Sequence, residues 1–494
     1  MTKLDLSTAA EVAGLLSGWR QESGSLRQRL AGRLRDAVER GDLAVGTRLP
    51  PERTLGRLLG LSRTTVTATY ALLREEGWVE SRRGSGTFAA APGSGEGRRN
   101  QLVAHLAGNP IFSGLIESPA MTVDFAAAAP AAAAPVAAGV RLAAGDLEAH
   151  LRGHGYCTAG LPALRQAIAA YLSRSALSTS EDEVLVTTGS QQAISLVVTL
   201  YVQPADPVVI EAPTYPGALD ALRSAGARLF AIPVGEQGVR ADDLRQMLTR
   251  TRARLVYLTP SFNNPTGAVV PVGTRRELAR VAAEFQATLV EDHALAATAL
   301  DRAGPPPPIG AFAPGGGVVL VGSLSKLFWG GLRVGWVRAP GPVIRKLARV
   351  KAVADVASSI LPQLVAVRLL PLADEVRDER RRELGGRLDD LASLLEEHVP
   401  TWEWRRPAGG VSLWVRLPEG SAVDFAEVAL RHGVAVVPGP HFCPDDGCQD
   451  RLRIPFCLDR VRLESGVRRL ARAWAAYAPI AGRARPHQHH RAIV

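Results

Sequence analysis

The chain has 494 residues, 46% hydrophobic and 21% charged side chains, and a formal net charge of +10. Such a balance excludes a wholly disordered or collagen-like chain and leaves room for two or three domains. Only four residues are lysine (Lys3, Lys326, Lys346 and Lys351), so any chemistry that needs an amine has four candidates. Residues 1–100 carry 16 basic and 11 acidic side chains, residues 101–459 are near neutral, and residues 460–494 carry 8 and 1. A neutral body with basic ends suits contact with a polyanion.

Four cysteines, Cys157, Cys443, Cys448 and Cys457, include no C-x-x-C pair, so neither a disulfide framework nor structural zinc is expected. Asp5 and Glu11 interrupt the apolar N-terminus, which argues against a signal peptide. The alanine-rich stretch 125–145 is broken by Pro130, Pro135 and Arg141 and is no membrane span. The expectation is a soluble protein of the reducing cytoplasm with no membrane partner.

In chain order, residues 21–90 are dense in helix signals. Leu26, Leu30, Leu34 and Val38 recur every four residues and form one apolar face. Leu49-Pro50-Pro51-Glu52-Arg53 opens a second helix that runs to about Leu59, Gly60 supplies a turn, and Ser62 is an N-cap for a third helix, Arg63 to Glu76. Val66, Tyr70 and Leu73 form its inner face. Arg63, Thr64 and Thr65 stand at its N-terminus, where side chains reach phosphates and base edges. Two short strands around Arg82-Arg83-Gly84-Ser85-Gly86 make a wing. Residues 91–120 read as a linker rich in glycine and proline.

From residue 121 to about 480, short apolar runs (183–187, 207–211, 255–259, 288–291, 317–322) alternate with helical patterns. This predicts an α/β domain with a mainly parallel sheet. Residues 481–494 form a basic tail.

The α/β segment carries a cofactor constellation. Lys326, in Ser323-Leu324-Ser325-Lys326, follows an apolar strand, with Arg333 seven residues on. An amine flanked by hydroxyls and a guanidinium suits an aldehyde cofactor bearing a phosphate. Asp292 ends another strand and offers a carboxylate to a pyridinium nitrogen. The run 187–191, ahead of a helix expected from Ala193, offers backbone N–H groups for phosphate. Tyr215 is an aromatic partner for a ring, Asn264 a donor for a ring hydroxyl, and Arg453 a fork for a carboxylate.

The string from Leu49 to Phe88 resembles the winged helix-turn-helix domain of GntR-type bacterial regulators. That resemblance implies that Arg53, Arg63, Thr64 and Thr65 face DNA while Arg83, Gly84, Ser85 and Gly86 approach the minor groove. Residues 121–478 resemble fold-type I aminotransferases, implying pyridoxal 5′-phosphate (PLP). Lys326 would then be the Schiff-base lysine, Asp292 the pyridine partner, Asn264 the partner of the ring oxygen and Tyr215 the stacking ring. Gly189, Ser190, Gln191, Ser323, Ser325 and Arg333 would hold the phosphate, Tyr156 would reach the partner subunit's phosphate, and Arg453 would bind a ligand carboxylate.

One departure stands out. Such proteins carry a tyrosine two or three residues after the aspartate, whereas here Ala294 or Leu295 occupies that place. Strand alternation points His293 away from Asp292's side. The missing donor weighs against efficient transamination. The whole chain resembles the MocR subfamily, which implies a homodimeric, nucleoid-associated regulator of a double-stranded operator. It would sense an amino compound or PLP through Lys326. The alternative is an active aminotransferase with an accessory DNA-binding domain.

Overall fold

The computed structural model describes residues 12–16, 25–39, 43, 47–82, 86–89, 122–445 and 447–481. Arg83, Gly84 and Ser85, the linker 91–120 and most of the basic tail lie outside them. The chain divides into two compact units, Met1–Asn109 and Pro110–Val494.

In the first unit, α1 (Leu26–Glu39), α2 (Glu52–Leu59) and α3 (Arg63–Glu75) precede the hairpin of β1 (Val79–Arg82) and β2 (Gly86–Ala89). Leu30, Leu34 and Val38 are buried, whereas Leu26, at the first position of α1, is half exposed. Gly60 ends α2 in the left-handed region (φ 70°), and its N–H bonds the Gly56 carbonyl. Ser62 accepts from the Thr65 N–H at 3.0 Å and caps α3. Val66, Tyr70 and Leu73 are buried as expected, and the Tyr70 hydroxyl donates to the Pro50 carbonyl at 2.8 Å. That bond ties the turn before α2 to the middle of α3.

The second unit is built on a seven-stranded sheet. Its N-terminal part gives β3 (Val123–Asp124), α4 (Val136–Leu147) and α5 (Pro162–Arg174). Then come β4 (Val184–Thr187), α6 (Ser190–Tyr201), β5 (Pro207–Ala212), α7 (Pro216–Ser224) and β6 (Arg228–Pro233). Next are α8 (Ala241–Thr251), β7 (Leu255–Leu258), α9 (Val272–Glu284), β8 (Thr288–Asp292), β9 (Val318–Ser323) and β10 (Gly335–Arg338). The order is β4-β10-β9-β8-β7-β5-β6, and only β10 runs antiparallel to its neighbours. The strands β4, β7 and β9 are buried along their whole length, which is why they read as continuous apolar runs.

Three helices follow: α10 (Gly341–Asp355), α11 (Ile360–Leu369) and the long α12 (Ala373–His398). The C-terminal part adds β11 (Ser412–Arg416), α13 (Ala422–Arg431), β12 (Val434–Ala435), β13 (Val437–Pro438), β14 (Arg451–Pro455) and α14 (Arg460–Ala481). Here β11, β14 and β13 form an antiparallel sheet. Its core joins Leu413, Ile454, Phe425 and Leu463 to Leu384 and Leu388 of α12. Much of the basic excess after residue 459 sits on α14. There Arg460 meets Asp390, Arg468 meets Glu464, and Arg469 donates to the Gly433 carbonyl.

Several boundaries differ from the sequence reading. Helix α6 starts at Ser190 rather than Ala193, because Gly189 (φ 92°) turns the chain directly into it. Strand β14 starts at Arg451, two residues before Arg453, because cross-strand pairing with β11 extends that far.

Candidate functional site

In the first unit, Arg53, Arg63 and Thr64 are exposed. Thr65 is half-buried and its hydroxyl lies 2.8 Å from Ser62 Oγ, so part of its bonding capacity goes to the helix cap. Gly86 is exposed, and a Cβ there would meet Arg48 Nε at 2.9 Å. The basic N-terminus of α3 thus presents exposed Arg63 and Thr64 at the positive end of the helix, which favours phosphate and base contact.

In the second unit, the C-terminal ends of β4, β8 and β9 carry the predicted site. Lys326 follows β9 by three residues, and its Nζ donates to the Ala128 carbonyl at 2.6 Å. Burial lowers its amine below the ordinary lysine range, aided by the Arg453 and Arg333 charges and opposed by Cys457 and Asp292. Asp292 ends β8 and is buried. Burial raises its carboxyl above the usual range. The Tyr257 hydroxyl, donating to Oδ2 at 2.5 Å, and the Ala294 N–H, donating to Oδ1 at 2.9 Å, pull it back.

Gly189, Ser190 and Gln191 form the entrance to α6. A Cβ on Gly189 would lie 2.8 Å from an Arg333 guanidinium nitrogen, so the guanidinium sits over a position only glycine leaves open. Arg333 itself is left-handed (φ 53°) and donates to the Thr188 carbonyl at 2.5 Å. Ser323 and Ser325 hydroxyls lie 2.7 Å apart. Two hydroxyls, a guanidinium and the first-turn N–H groups of a helix make a cradle that fits a phosphate.

Tyr215 precedes α7, and burial with the Asp292 charge pushes its phenol up to about 12. The Gln191 amide donates to the Gly217 carbonyl at 2.9 Å and tethers that turn to α6. Asn264 is half-buried before Pro265. Its neighbour Asn263 is the structural one, donating to Glu211 at 2.9 Å and to the Pro213 carbonyl at 3.1 Å. Arg453 is 2% exposed and donates to the Ala126 carbonyl; its guanidinium lies 5.3 Å from the Phe442 ring and its Nε has no partner. Burial lowers it to about 10. Tyr156 is 67% exposed, and its ring lies 5.6 Å from that of His154.

His293 points where alternation placed it. It lines a separate cavity of about 430 Å³ with Tyr171, Arg174 and Arg377, and burial beside Arg275 and Arg377 holds its ring down to about 3. It does not replace the missing tyrosine.

Three features escaped the sequence reading. Tyr257, on β7, is the buried donor to Asp292. Glu211 accepts from the Thr259 N–H, Asn263 and Thr214, and burial lifts its carboxyl to about 7. Lys351, one of the four lysines, is fully buried. Its Nζ bonds Asp355 at 2.6 Å, Asp355 accepts from Gln192 at 2.6 Å, and Gln192 accepts from the Thr188 N–H at 2.9 Å. This chain of bonds braces the turn at Thr188 that leads into α6.

Comparison with known proteins follows these two units. Residues 26–89 match the model for bacterial regulatory proteins of the gntR family, and residues 129–470 match aminotransferase class I and II. A regulator of Rhizobium meliloti named as the probable rhizopine catabolism regulatory protein MocR is 30% identical over 76% of this chain and 78% of its own. The chain belongs to the MocR subfamily of GntR-type regulators. The HTH-type regulator YisV of Bacillus subtilis is 29% identical over 92% of this chain and 98% of its own. The large unit is also similar to 2-aminoadipate transaminase of Thermus thermophilus, 38% identical over 59% of this chain and 75% of the enzyme. The solved α-aminoadipate aminotransferase LysN of that organism, complexed with N-(5′-phosphopyridoxyl)-L-leucine, superposes with a TM-score of 0.69. It is 32% identical and covers 77% of this chain and 98% of its own. A MocR-type regulator of this kind pairs a DNA-binding head with an aminotransferase-like domain whose cofactor is PLP.

Proposed function

We propose that this MocR-type chain senses an amino acid-like compound, or PLP itself, in its large domain and passes that state to paired winged-helix heads on an operator. The observation that carries the reading is the pairing of Lys326 with Arg453. One is a desolvated amine, and the other is a buried guanidinium that forms no ion pair among the described residues. Together they suit a ligand with an amine and a carboxylate on one carbon.

When bound, PLP supplies an aldehyde that condenses with amines and a ring that withdraws electrons. This chain's residues do the rest. Ser190, Gln191, Ser323, Ser325 and Arg333, with Gly189 leaving room, would hold the phosphate. Tyr215 would cover the ring, Asn264 would donate to the ring oxygen, and Asp292 would hold the proton on the ring nitrogen. Burial keeps Lys326 from holding its own proton firmly, so its amine is available and can give way to a ligand amine. Arg453 orients the ligand carboxylate. Tyr156, exposed in a single chain, would serve a second copy in a homodimer with two heads for two half-sites. A protein acting on an operator works in the compartment that holds DNA. Domain limits of 21–90, 91–120 and 121–480, with a tail 481–494, fit this division of labour.

The test is direct. The purified protein should show the cofactor's visible absorbance, lost in Lys326→Ala, and should bind its own promoter with steep salt dependence. Arg63→Ala should weaken that binding and reduce the salt slope by about one. Failure to bind its promoter specifically at moderate salt would refute the regulatory reading.

The 38% identity to a transaminase favours a second reading, an active aminotransferase carrying a DNA-binding accessory. The absence of a tyrosine at Ala294 or Leu295 stands against it, since His293 lines a separate cavity and the Tyr257 hydroxyl is engaged with Asp292. Stoichiometric conversion of L-2-aminoadipate to its oxo acid would establish it.

A further inference from the structure

Cys443 and Cys448 are separated by five positions in a segment that sequence spacing marks as unremarkable. The fold brings their Sγ atoms to 2.7 Å, with both present as free thiols. Two backbone features produce this approach. Cys448 is left-handed (φ 60°), a conformation that glycine or asparagine adopts at less cost. Opposite it stands Gly439, where a Cβ would lie 2.1 Å from the Cys448 carbonyl oxygen. The chain therefore places a costly residue type where its sulfur faces a second sulfur.

We propose that Cys443 and Cys448 form a reversible disulfide, a modification site on the wall of the ligand pocket. The oxidant is a low-molecular-weight disulfide. Cys448, the half-buried member, attacks one sulfur of the reagent as thiolate, and one reagent thiolate leaves. Buried Cys443 then attacks Cys448 Sγ, and its proton and the second reagent sulfur depart as a thiol. The protein pair loses two electrons and the reagent disulfide gains them. The hydrogen bond from Cys443 lowers the Cys448 thiol below its usual range; burial opposes this, and the Arg451 charge assists it. Cytosolic disulfides in general are transient and redox-sensing rather than structural.

The position gives the bond a consequence. Phe442, adjacent to Cys443, places its ring 5.3 Å from the Arg453 guanidinium and packs edge-on against Trp414. Its carbonyl accepts from the Thr214 N–H at 2.8 Å, one residue before Tyr215. Arg223 donates to the Cys443 and Pro444 carbonyls, both at 3.2 Å. A disulfide here restrains the segment that backs both Arg453 and the ring-covering turn. Pre-organisation of that kind tightens ligand binding.

The experiment uses the full-length protein treated with oxidised glutathione, then denatured, alkylated and mapped by mass. The expected result is loss of two of the four alkylatable thiols, with the peptide holding Cys443 and Cys448 lighter by two hydrogens. Cys443→Ser should instead trap glutathione on Cys448. Four alkylatable thiols after treatment, or equal modification of Cys157, would overturn the site. The functional half rests on the PLP reading and is measured with L-2-aminoadipate on PLP-loaded protein. The oxidised form should bind about threefold tighter or better, and the Cys443→Ser, Cys448→Ser double variant should show no response to oxidant. Equal affinity in both redox states would overturn the coupling. A cofactor spectrum indifferent to the probe in both states would instead count against the sensing function, leaving the thiol result standing on its own.

Discussion

Replacing Tyr257 with Phe removes one oxygen from the site and leaves the ring in its buried place on β7. That oxygen donates to Asp292 at 2.5 Å, and the remaining donor is the Ala294 N–H at 2.9 Å. A hydrogen bond to a charged group contributes about 1.5–3 kcal/mol. Its loss falls on the ionised form of Asp292, which burial already disfavours. The carboxyl of the variant therefore protonates at higher pH than that of the parent. Only the ionised form pairs with a protonated ring nitrogen, so PLP affinity should fall as pH drops, and the fall should begin at higher pH in Tyr257→Phe. Where the variant's carboxyl is protonated and the parent's is not, the loss should reach roughly tenfold to a hundredfold in Kd. Titration of the cofactor-free protein with PLP, followed by absorbance at several pH values between about 6 and 9, measures it. An unchanged Kd across that range would refute the assignment of Tyr257 as the group that keeps Asp292 ionised.

Other outcomes follow from the same structure. Ser62→Ala should destabilise the winged helix by about 1 kcal/mol through loss of the α3 cap, read as an earlier denaturant midpoint for that unit and weaker promoter binding. Lys351→Met should cost about 1–3 kcal/mol by leaving Asp355 with Gln192 but without its charged partner. It should also weaken PLP binding through Gln192 and the Thr188 turn, whereas Lys346→Met should do neither. Glu211 holds its folded carboxyl at about 7, above the 4.5 of an unperturbed one. The folded state then binds the proton more tightly, so this group's contribution is largest below about pH 4.5 and is lost as pH rises to about 7. Glu211→Gln should flatten that part of the stability profile in denaturant titrations at pH 5, 6 and 7, and an unchanged slope would contradict a buried, readily protonated Glu211.

Much of the molecule was legible in one dimension because the information is local. The N-cap at Ser62, the left-handed turn at Gly60 and the inner face Val66, Tyr70 and Leu73 each depend on residues within one or two helical turns. The residues of the proposed phosphate cradle come together for the same reason: Ser323, Ser325 and Lys326 share one strand end, and Gly189 and Ser190 share one helix start. What tertiary structure decided are contacts between distant residues. Tyr257 reaches Asp292, 35 positions away, because β7 and β8 are paired neighbours. Lys351 supports Thr188 through Asp355 and Gln192 because α10 packs against α6. The exclusion of His293 from the site follows from alternation along β8, but the cavity that receives it is made by α5, α12 and the proline run 305–308. The thiol pair depended on a left-handed residue facing a glycine, a backbone event that no spacing rule encodes. Caps, turns and helix faces are set by neighbours in the chain. Partners of buried charges are set by which strands and helices lie side by side, and only the packed sheet fixes that order.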